Sequence, residues 1–410
     1  MNTADKYSLK CPVCSKTWGP TSAEFTCKGC NAPTVVAMNT GGAGSFEPSK
    51  EPSMWRYFDL LPLCDRASIV SQGEGQTPLI ASPRLADRLG LGPLWLKNET
   101  VNPTGSFKDR QISFSISKAR ESGARTLAVI SSGNVAAAAA SYSAIAGLKC
   151  IVFTPYNAPE EKLVQARMYG ASFVKVNTLS SSEIFELVAE ACPERGWELV
   201  STAGLYNPYH VEGAKTIAYE LAEQCSSMPD WVIAPVGGGG LIGALWRGFN
   251  ELVSMGELQR PPAIVGVQST LCTPLVDAIE KDLSAGEVVA NPVQVGDTIA
   301  GAIADDILFD AYTALPAIRE SGGRAVSTSD EEMLEAETLL ARTAGIFAEP
   351  ASASTVATIQ KLRESDTIGG GDSVCCIITG SGFKDMASAK KLVPAPTQID
   401  ATREAFLRLV

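Results

Sequence analysis

The chain has 410 residues, 45% hydrophobic and 19% charged, with 34 basic and 45 acidic side chains and a formal charge of −11. That balance excludes a disordered or fibrous chain, and an acidic surplus without a Lys/Arg cluster argues against nucleic acid or anionic membranes as partners. Met1 to Lys10 lacks the apolar core of a secretory signal and no run approaches the roughly 20 apolar residues of a membrane span, so a cytoplasmic protein of about two or three domains is expected.

The first module is written in cysteine. Cys11-Pro-Val-Cys14 and Cys27-Lys-Gly-Cys30 are two Cys-x-x-Cys knuckles twelve residues apart. Each turns two thiolates toward one point, and four soft thiolates suit tetrahedral Zn²⁺ in a structural ribbon with no open position for catalytic water. A ribbon retained without metal and a pair of redox dithiols are the alternatives. Trp18 and Phe25 are expected to pack this small module, which is expected to have a core of its own. Asn39-Thr-Gly-Gly-Ala-Gly-Ser-Phe46 reads as a linker. The other seven cysteines are scattered, and in a reducing compartment they behave as small hydrophobes.

From about residue 76 the chain alternates strand and helix. Strands are expected at Leu94–Lys97, Thr126–Ile130, Cys150–Phe153, Ser172–Val176, Trp231–Val236 and Ala263–Val267. Helices are expected at Phe107–Ser122, Asn134–Ala146 and Glu160–Tyr169. Apolar runs bounded by Pro and Gly are the mark of buried parallel strands. The alternation implies an α/β fold of doubly wound open sheets, in which ligands bind at the carboxyl ends of strands.

Three strand-to-helix loops stand where such ligands bind. In Asn102-Pro-Thr-Gly-Ser-Phe-Lys-Asp109, Lys108 opens a helix whose dipole disfavours the ammonium and favours a nucleophilic amine. An ordinary surface lysine is the other reading of that loop. Ser131-Ser-Gly-Asn134 offers hydroxyls and backbone N–H groups for a carboxylate or cofactor oxygen, or a simple helix cap. Pro235-Val-Gly-Gly-Gly-Gly-Leu241 lets the backbone close on a phosphate, but lacks the lysine of a P-loop and the spacing of a dinucleotide fingerprint. Together, a lysine, a phosphate cradle and a carboxylate loop ask for pyridoxal 5′-phosphate (PLP).

With these motifs the chain resembles the threonine synthase-like family of fold-type-II PLP enzymes. The resemblance is carried by Gly73-Glu-Gly-Gln-Thr-Pro-Leu79, the segment Lys97 to Arg110, Ser131 to Asn134 and Glu212-Gly-Ala-Lys-Thr216. It continues in Gly345-Ile-Phe-Ala-Glu-Pro-Ala-Ser352 and Thr379-Gly-Ser-Gly-Phe-Lys-Asp385, and several relatives carry a similar cysteine ribbon. It implies that Lys108 is the Schiff-base lysine and proton carrier at Cα, and that Asn134 holds the phenolic oxygen of PLP. It further implies that Gly237, Gly238, Gly239, Gly240 and Leu241 hold the phosphate, and that Thr379 faces the pyridine nitrogen. Ser131, Ser132 and Gly133 would take the substrate carboxylate, with Val135 and His210 also in the substrate pocket. The implied organisation is a ribbon (1–38), a linker and arm (39–75), a large PLP domain (76–105 with 205–390), a small mobile domain (106–204) and a C-terminal tail (391–410), in a homodimer.

The departures from the family pattern bear on the substrate. Threonine synthases usually read Ser-Ser-Gly-Asn-Thr, whereas Val135 follows Asn134 here. Their Asn-Ser-x-Asn-Pro-x-Arg appears as Gly204-Leu-Tyr-Asn-Pro-Tyr-His210, which exchanges a permanent cation for the only histidine of the chain. Loss of an Arg–phosphate fork argues against a phosphorylated substrate. Pro235 to Ile242 and Thr298 to Ala304 also resemble serine/threonine dehydratase segments. The expectation is therefore β-elimination or β-replacement on a non-phosphorylated amino acid. Threonine synthase acting on O-phosphohomoserine and a non-catalytic PLP-binding protein are the competing readings.

Overall fold

The computed structural model describes residues 6–20, 25–39 and 46–408. Most of the expected linker, residues 40–45, and the first five residues of the N-terminal stretch lie outside the described residues. Thirteen strands are described in chain order. The first five are β1 (Tyr7–Lys10), β2 (Thr17–Trp18), β3 (Val35–Met38), β4 (Leu79–Ala81) and β5 (Leu94–Asn98). Then come β6 (Thr126–Ile130), β7 (Lys149–Pro155), β8 (Ser172–Val176) and β9 (Glu198–Leu199). The last are β10 (Trp231–Pro235), β11 (Ala263–Ser269), β12 (Arg324–Thr328) and β13 (Val374–Ile378).

Two open sheets carry the body of the molecule. The larger has the order β12-β11-β10-β13-β5-β4, parallel except for the antiparallel pair β4–β5. The smaller, β8-β7-β6-β9, is parallel throughout. Successive side chains of a strand point to opposite faces. In β13, Cys375 and Ile377 join the core beneath helices Thr216–Gln224 and Gly240–Ser254, while Val374, Cys376 and Ile378 join the core beneath helix Pro350–Glu364. Both faces are covered, so all five residues of β13 and all but Trp231 of β10 are buried. Among the described residues no helix is long and apolar enough to cross a membrane.

The ribbon departs from its expected independence. Its sheet β2-β1-β3 puts Tyr7, Leu9 and Val36 into one cluster with Trp55, Phe58, Phe114 and Tyr209 of the body. Phe25 meets Tyr209 edge-on at 6.0 Å, and the buried Lys6 amine donates to the carbonyls of Phe58 and Leu63 at 2.9 and 2.6 Å. So short a module buries too little surface alone, and it completes its core on the neighbouring domain.

A buried ion network fixes the helix that begins at Lys108. Arg110 donates to Glu99 Oε2 at 2.7 Å and to Glu220 at 2.5 and 2.8 Å, and Lys97 reaches Glu220 at 2.6 Å. Arg110, Glu99 and Lys97 are fully buried, and Glu220 is nearly so. Burial alone would push the Glu220 carboxyl up, but Arg110 and Lys97 hold it down at about 2. Removing one partner leaves the others as uncompensated buried charge, which is far more costly than the net worth of the pair. Arg110→Met is therefore expected to destabilise the fold by about 3–5 kcal/mol. Urea unfolding checks this, and a loss below about 1 kcal/mol would show that the network is dispensable for stability.

Candidate active site

The loops after β5, β6, β10 and β13 meet in one cavity of about 330 Å³ at the carboxyl ends of the parallel strands. Lys108 lies in its wall at the start of helix Lys108–Glu121. The turn before it is built locally: Gly105 takes φ +89°, and Asp109 reaches back to accept from the Thr104 N–H at 2.7 Å and hydroxyl at 2.6 Å. The turn is also clipped to the loop after β13. Phe107 N–H donates to Thr379 O at 2.9 Å, and Ser381 N–H donates to Gly105 O at 2.9 Å. Lys108 and Thr379 are thus held together by backbone hydrogen bonds, not by side-chain packing alone.

Ser131, Ser132, Gly133 and Asn134 line the same cavity where β6 gives way to helix Asn134–Ala146, and Val135 adds an apolar wall beside them. Gly237, Gly238, Gly239, Gly240 and Leu241 line it after β10. Gly239 stands at φ +96° and caps the 15-residue helix Gly240–Ser254, whose amino end opens into the cavity. Glycine is required here by space as well as by conformation. A Cβ on Gly237 would lie 2.6 Å from Asp305 Oδ2, and one on Gly240 would lie 2.6 Å from His210 Cε1.

His210 itself is elsewhere. It is fully buried, its Nε2 sits 2.9 Å from Asp310 Oδ1 and its Nδ1 3.2 Å from Gln111 Nε2. It stands behind the glycine loop and lines a different, much smaller cavity together with Gly204 and Asp310. Leu205 packs into an aliphatic and aromatic cluster with Phe185 and Phe309. Residues 204, 205 and 210 therefore present no side-chain donor to the main cavity, because the buried Asp310 carboxylate turns that segment inward.

The donors that do face the cavity suit an anionic, ring-bearing ligand. Gly238 N–H is met by the Asp305 carboxylate, and Asn134 Nδ2 donates to both oxygens of Glu349 at 3.1 and 3.2 Å. Anionic oxygens thus already occupy the two donors that a phosphate and a phenolic oxygen would use. Burial pushes both carboxyls up, Asp305 to about 6, because it disfavours their charged forms. Thr379 Oγ1 lies 2.8 Å from Ser352 Oγ. Ser352 Oγ also accepts the Gly380 N–H at 2.7 Å and reaches Gly380 O at 3.2 Å, so its single proton is shared between that carbonyl and Thr379. The residues that line the cavity fit PLP, and Lys108 is the amine they would offer it. Sequence reasoning missed Asp305, Glu349, Lys162 and Lys384 as cavity residues. Glu349 and Lys384 lie inside the family motifs, whereas Asp305 and Lys162 carry no local signal.

Burial is the main cause of the low Lys108 pKa of about 8, and Asp305, Asp310 and Glu349 oppose it by favouring the ammonium. Near-neutral pH therefore leaves a usable fraction of free amine. In cofactor-stripped protein, acylation of Lys108 followed by mass spectrometry should rise through about pH 8. Exposed lysines should titrate near ~10.4. Asp305→Asn removes a charge that favours the ammonium, so the Lys108 midpoint should move down; an upward or null shift would refute this account of the site.

The four ribbon cysteines form a second candidate site. Their sulfurs lie within 4.8 Å of one another, and Cys14 and Cys27 are 3.8 Å apart. That separation is about the edge of a tetrahedron with ~2.3 Å zinc–sulfur bonds. The cluster is compatible with a structural zinc ribbon. Because the ribbon shares its core with Phe114 and Tyr209, Cys14→Ser should lower zinc content from about one per chain and also lower the melting temperature of the whole protein. Unchanged melting after metal loss would mean that the shared core holds without the metal.

Comparison with known proteins places this geometry. Residues 70–380 match the family described as "Pyridoxal-phosphate dependent enzyme". A threonine synthase of Methanocaldococcus jannaschii is 39% identical over 363 residues, covering 88% of each chain. One of Methanosarcina acetivorans is 37% identical over 405 residues, covering 98% of each. Among solved structures, a T.th. threonine deaminase is similar with a TM-score of 0.60 and 27% identity, over 75% of this chain and 92% of that one. The chain belongs to the pyridoxal-phosphate dependent enzymes of fold type II, as a lyase of the threonine synthase-like family.

Proposed function

We propose that this enzyme carries out β-elimination or β-replacement on an amino acid that bears no phosphate ester. PLP, when bound, supplies a carbonyl for the substrate amine and an electron sink for the charge at Cα. Lys108 would hold it covalently until the substrate amine displaces the lysine nitrogen, and the freed Nζ would then take the Cα proton. Asn134 and Thr379 orient the ring, the glycine loop anchors the phosphate, and Ser131, Ser132 and Gly133 receive the substrate carboxylate. A neutral Thr379 hydroxyl does not hold a pyridine nitrogen protonated as a carboxylate would, which favours departure of a leaving group over long-lived charge at Cα.

The observation that carries this reading is the apolar part of the cavity wall. Val135, Ala203, Phe185 and Phe309 line it, and segment 204–210 supplies no cation because His210 and the Gly204 N–H are both given to Asp310. Lys384, the deeper of the two further cavity lysines, already donates to Gln165 Oε1 at 2.6 Å. A dianion entering such a wall loses hydration worth several kcal/mol without replacement.

A second reading is threonine synthesis from O-phosphohomoserine. It is favoured by the 36–39% identity to proteins named threonine synthase over most of their length, and Lys162 at the cavity mouth is a cation it could use. Purified holoenzyme given serine, threonine or O-phosphohomoserine separates the two. The expected outcome is keto acid and ammonia from a hydroxy amino acid at a kcat/KM at least about tenfold above that for phosphate release, a difference of about 1.4 kcal/mol. Threonine and inorganic phosphate formed in equal amounts at the higher kcat/KM would establish the second reading.

A further inference from the structure

We propose that Gln111, His210 and Asp310 are positioning residues that form a polar relay and fix an acceptor, not a donor, against the Lys108 amine. Lys108 Nζ donates to Gln111 Oε1 at 3.0 Å, Gln111 Nε2 meets His210 Nδ1 at 3.2 Å, and His210 Nε2 meets Asp310 Oδ1 at 2.9 Å. The direction of this chain follows from its far end. An ionised carboxylate only accepts, so His210 carries its proton on Nε2 and leaves Nδ1 as an acceptor. Nδ1 therefore takes an N–H of the Gln111 amide, and the amide oxygen is turned toward Lys108. Gln111, His210 and Asp310 are 1%, 0% and 6% exposed, so bulk water offers little substitute for a wrongly turned partner.

The relay is also wedged in place. Its ring lies so close to Gly240 that a Cβ there would sit 2.6 Å from His210 Cε1, and Asp310 Oδ2 accepts the Gly204 N–H at 3.3 Å. The glycine loop, the 204–210 segment and the Lys108 helix thus share one chain of hydrogen bonds. Other charges face its members. Asp305, Asp310 and Glu349 act on Lys108, and Arg247 lies across the small cavity that His210 lines. The consequence concerns the proton that Lys108 receives. An acceptor opposite Nζ stabilises and orients the ammonium formed after proton transfer, whereas an N–H in that place would repel it. The sole histidine of the chain thus takes a place one residue removed from the reacting amine instead of touching substrate. The inference rests on Lys108 being the reacting lysine, and borohydride trapping of a Lys108–cofactor bond tests that reading separately.

The experiment uses full-length protein, cofactor-loaded and stripped. Because His210 is the only histidine, a tag-free sample labelled with imidazole ¹⁵N shows one ring. It should be the neutral form protonated at Nε2. In Asp310→Asn the Gly204 N–H claims the amide oxygen and leaves an NH₂ against Nε2. The ring proton should move to Nδ1, Gln111 should turn, and the apparent pKa of Lys108 acylation should fall by about one unit, or tenfold in amine fraction. Loss of the Asp310 charge alone also lowers that pKa, so the substitution is repeated in Gln111→Met. A relay predicts that the Asp310→Asn shift shrinks by at least half in that background. Gln111→Met by itself, with the Asp310 charge intact, should lower the Lys108 value too, which decides the matter if Asp310→Asn does not fold. A wild-type ring protonated at Nδ1, equal Asp310→Asn shifts in both backgrounds, or no shift in Gln111→Met would overturn the relay.

Discussion

Arg110 is the point on which the arrangement depends. It sits two residues into the helix that begins at Lys108, and its guanidinium joins Glu99, just after β5, to Glu220 of helix Thr216–Gln224. The same helix packs Ile112 and Ile116 against the core of the smaller sheet. One fully buried cation therefore registers the smaller sheet, the larger sheet and Lys108 to one another. A guanidinium suits this task because its fixed fork holds two carboxylates at set angles, which a flexible ammonium does not. Lys97 adds charge to Glu220 without that geometry. The Thr104–Asp109 turn and the backbone clip to Thr379 then carry the registration the last few ångströms to Nζ.

The cavity turns this rigidity into a charge pattern. Lys108 is brought to about 8 by burial, and Asp305 to about 6 by the same cause with the opposite sign for its charge state. Their ranges approach each other because low dielectric disfavours both ions, while their mutual attraction favours both. Asp305 meets the Gly238 N–H and acts on Lys108 by charge, so one carboxylate faces both the glycine loop and the amine.

Much of the scaffold was legible in the sequence. Thr126–Ile130, Ser172–Val176 and helix Asn134–Ala146 are found where hydrophobic period and Gly punctuation place them. Strand β13 escaped notice because Val-Cys-Cys-Ile-Ile reads by composition as scattered thiols, yet its five residues are all buried at the centre of the larger sheet. In β12, only Thr328 is fully buried, so it lacks the apolar run that marks its neighbours. The loops that line the cavity were found because their chemistry is local: glycine, serine and lysine at helix starts. His210 was placed in the substrate pocket by its position in a motif, but its surroundings are set by Asp310, one hundred residues away, and by Gln111. A contact of that span has no sequence signature.

The ribbon gives the fold its least local dependence. Pro33, Thr34 and Val35 line the small cavity that also holds His210, Asp310 and Tyr312, so the ribbon closes the back of the active-site wall as the glycine loop closes its front. Arg247, whose guanidinium pairs with Glu212 at 2.7 Å, also donates to Val36 O at 2.7 Å and so ties the ribbon strand to helix Gly240–Ser254. That helix is the one whose amino end faces the cavity. A module that looked separable by its cysteine spacing thus lines one small cavity with the His210–Asp310 pair. In low dielectric an unpaired polar group is costly, so burial of the His210–Asp310 pair favours keeping its hydrogen bond made. Cys11 and Cys27 pack with Tyr312, Tyr312 lines the small cavity with His210, and His210 lies against Gly240, so the ribbon, the buried histidine and the glycine loop follow one another through one wall.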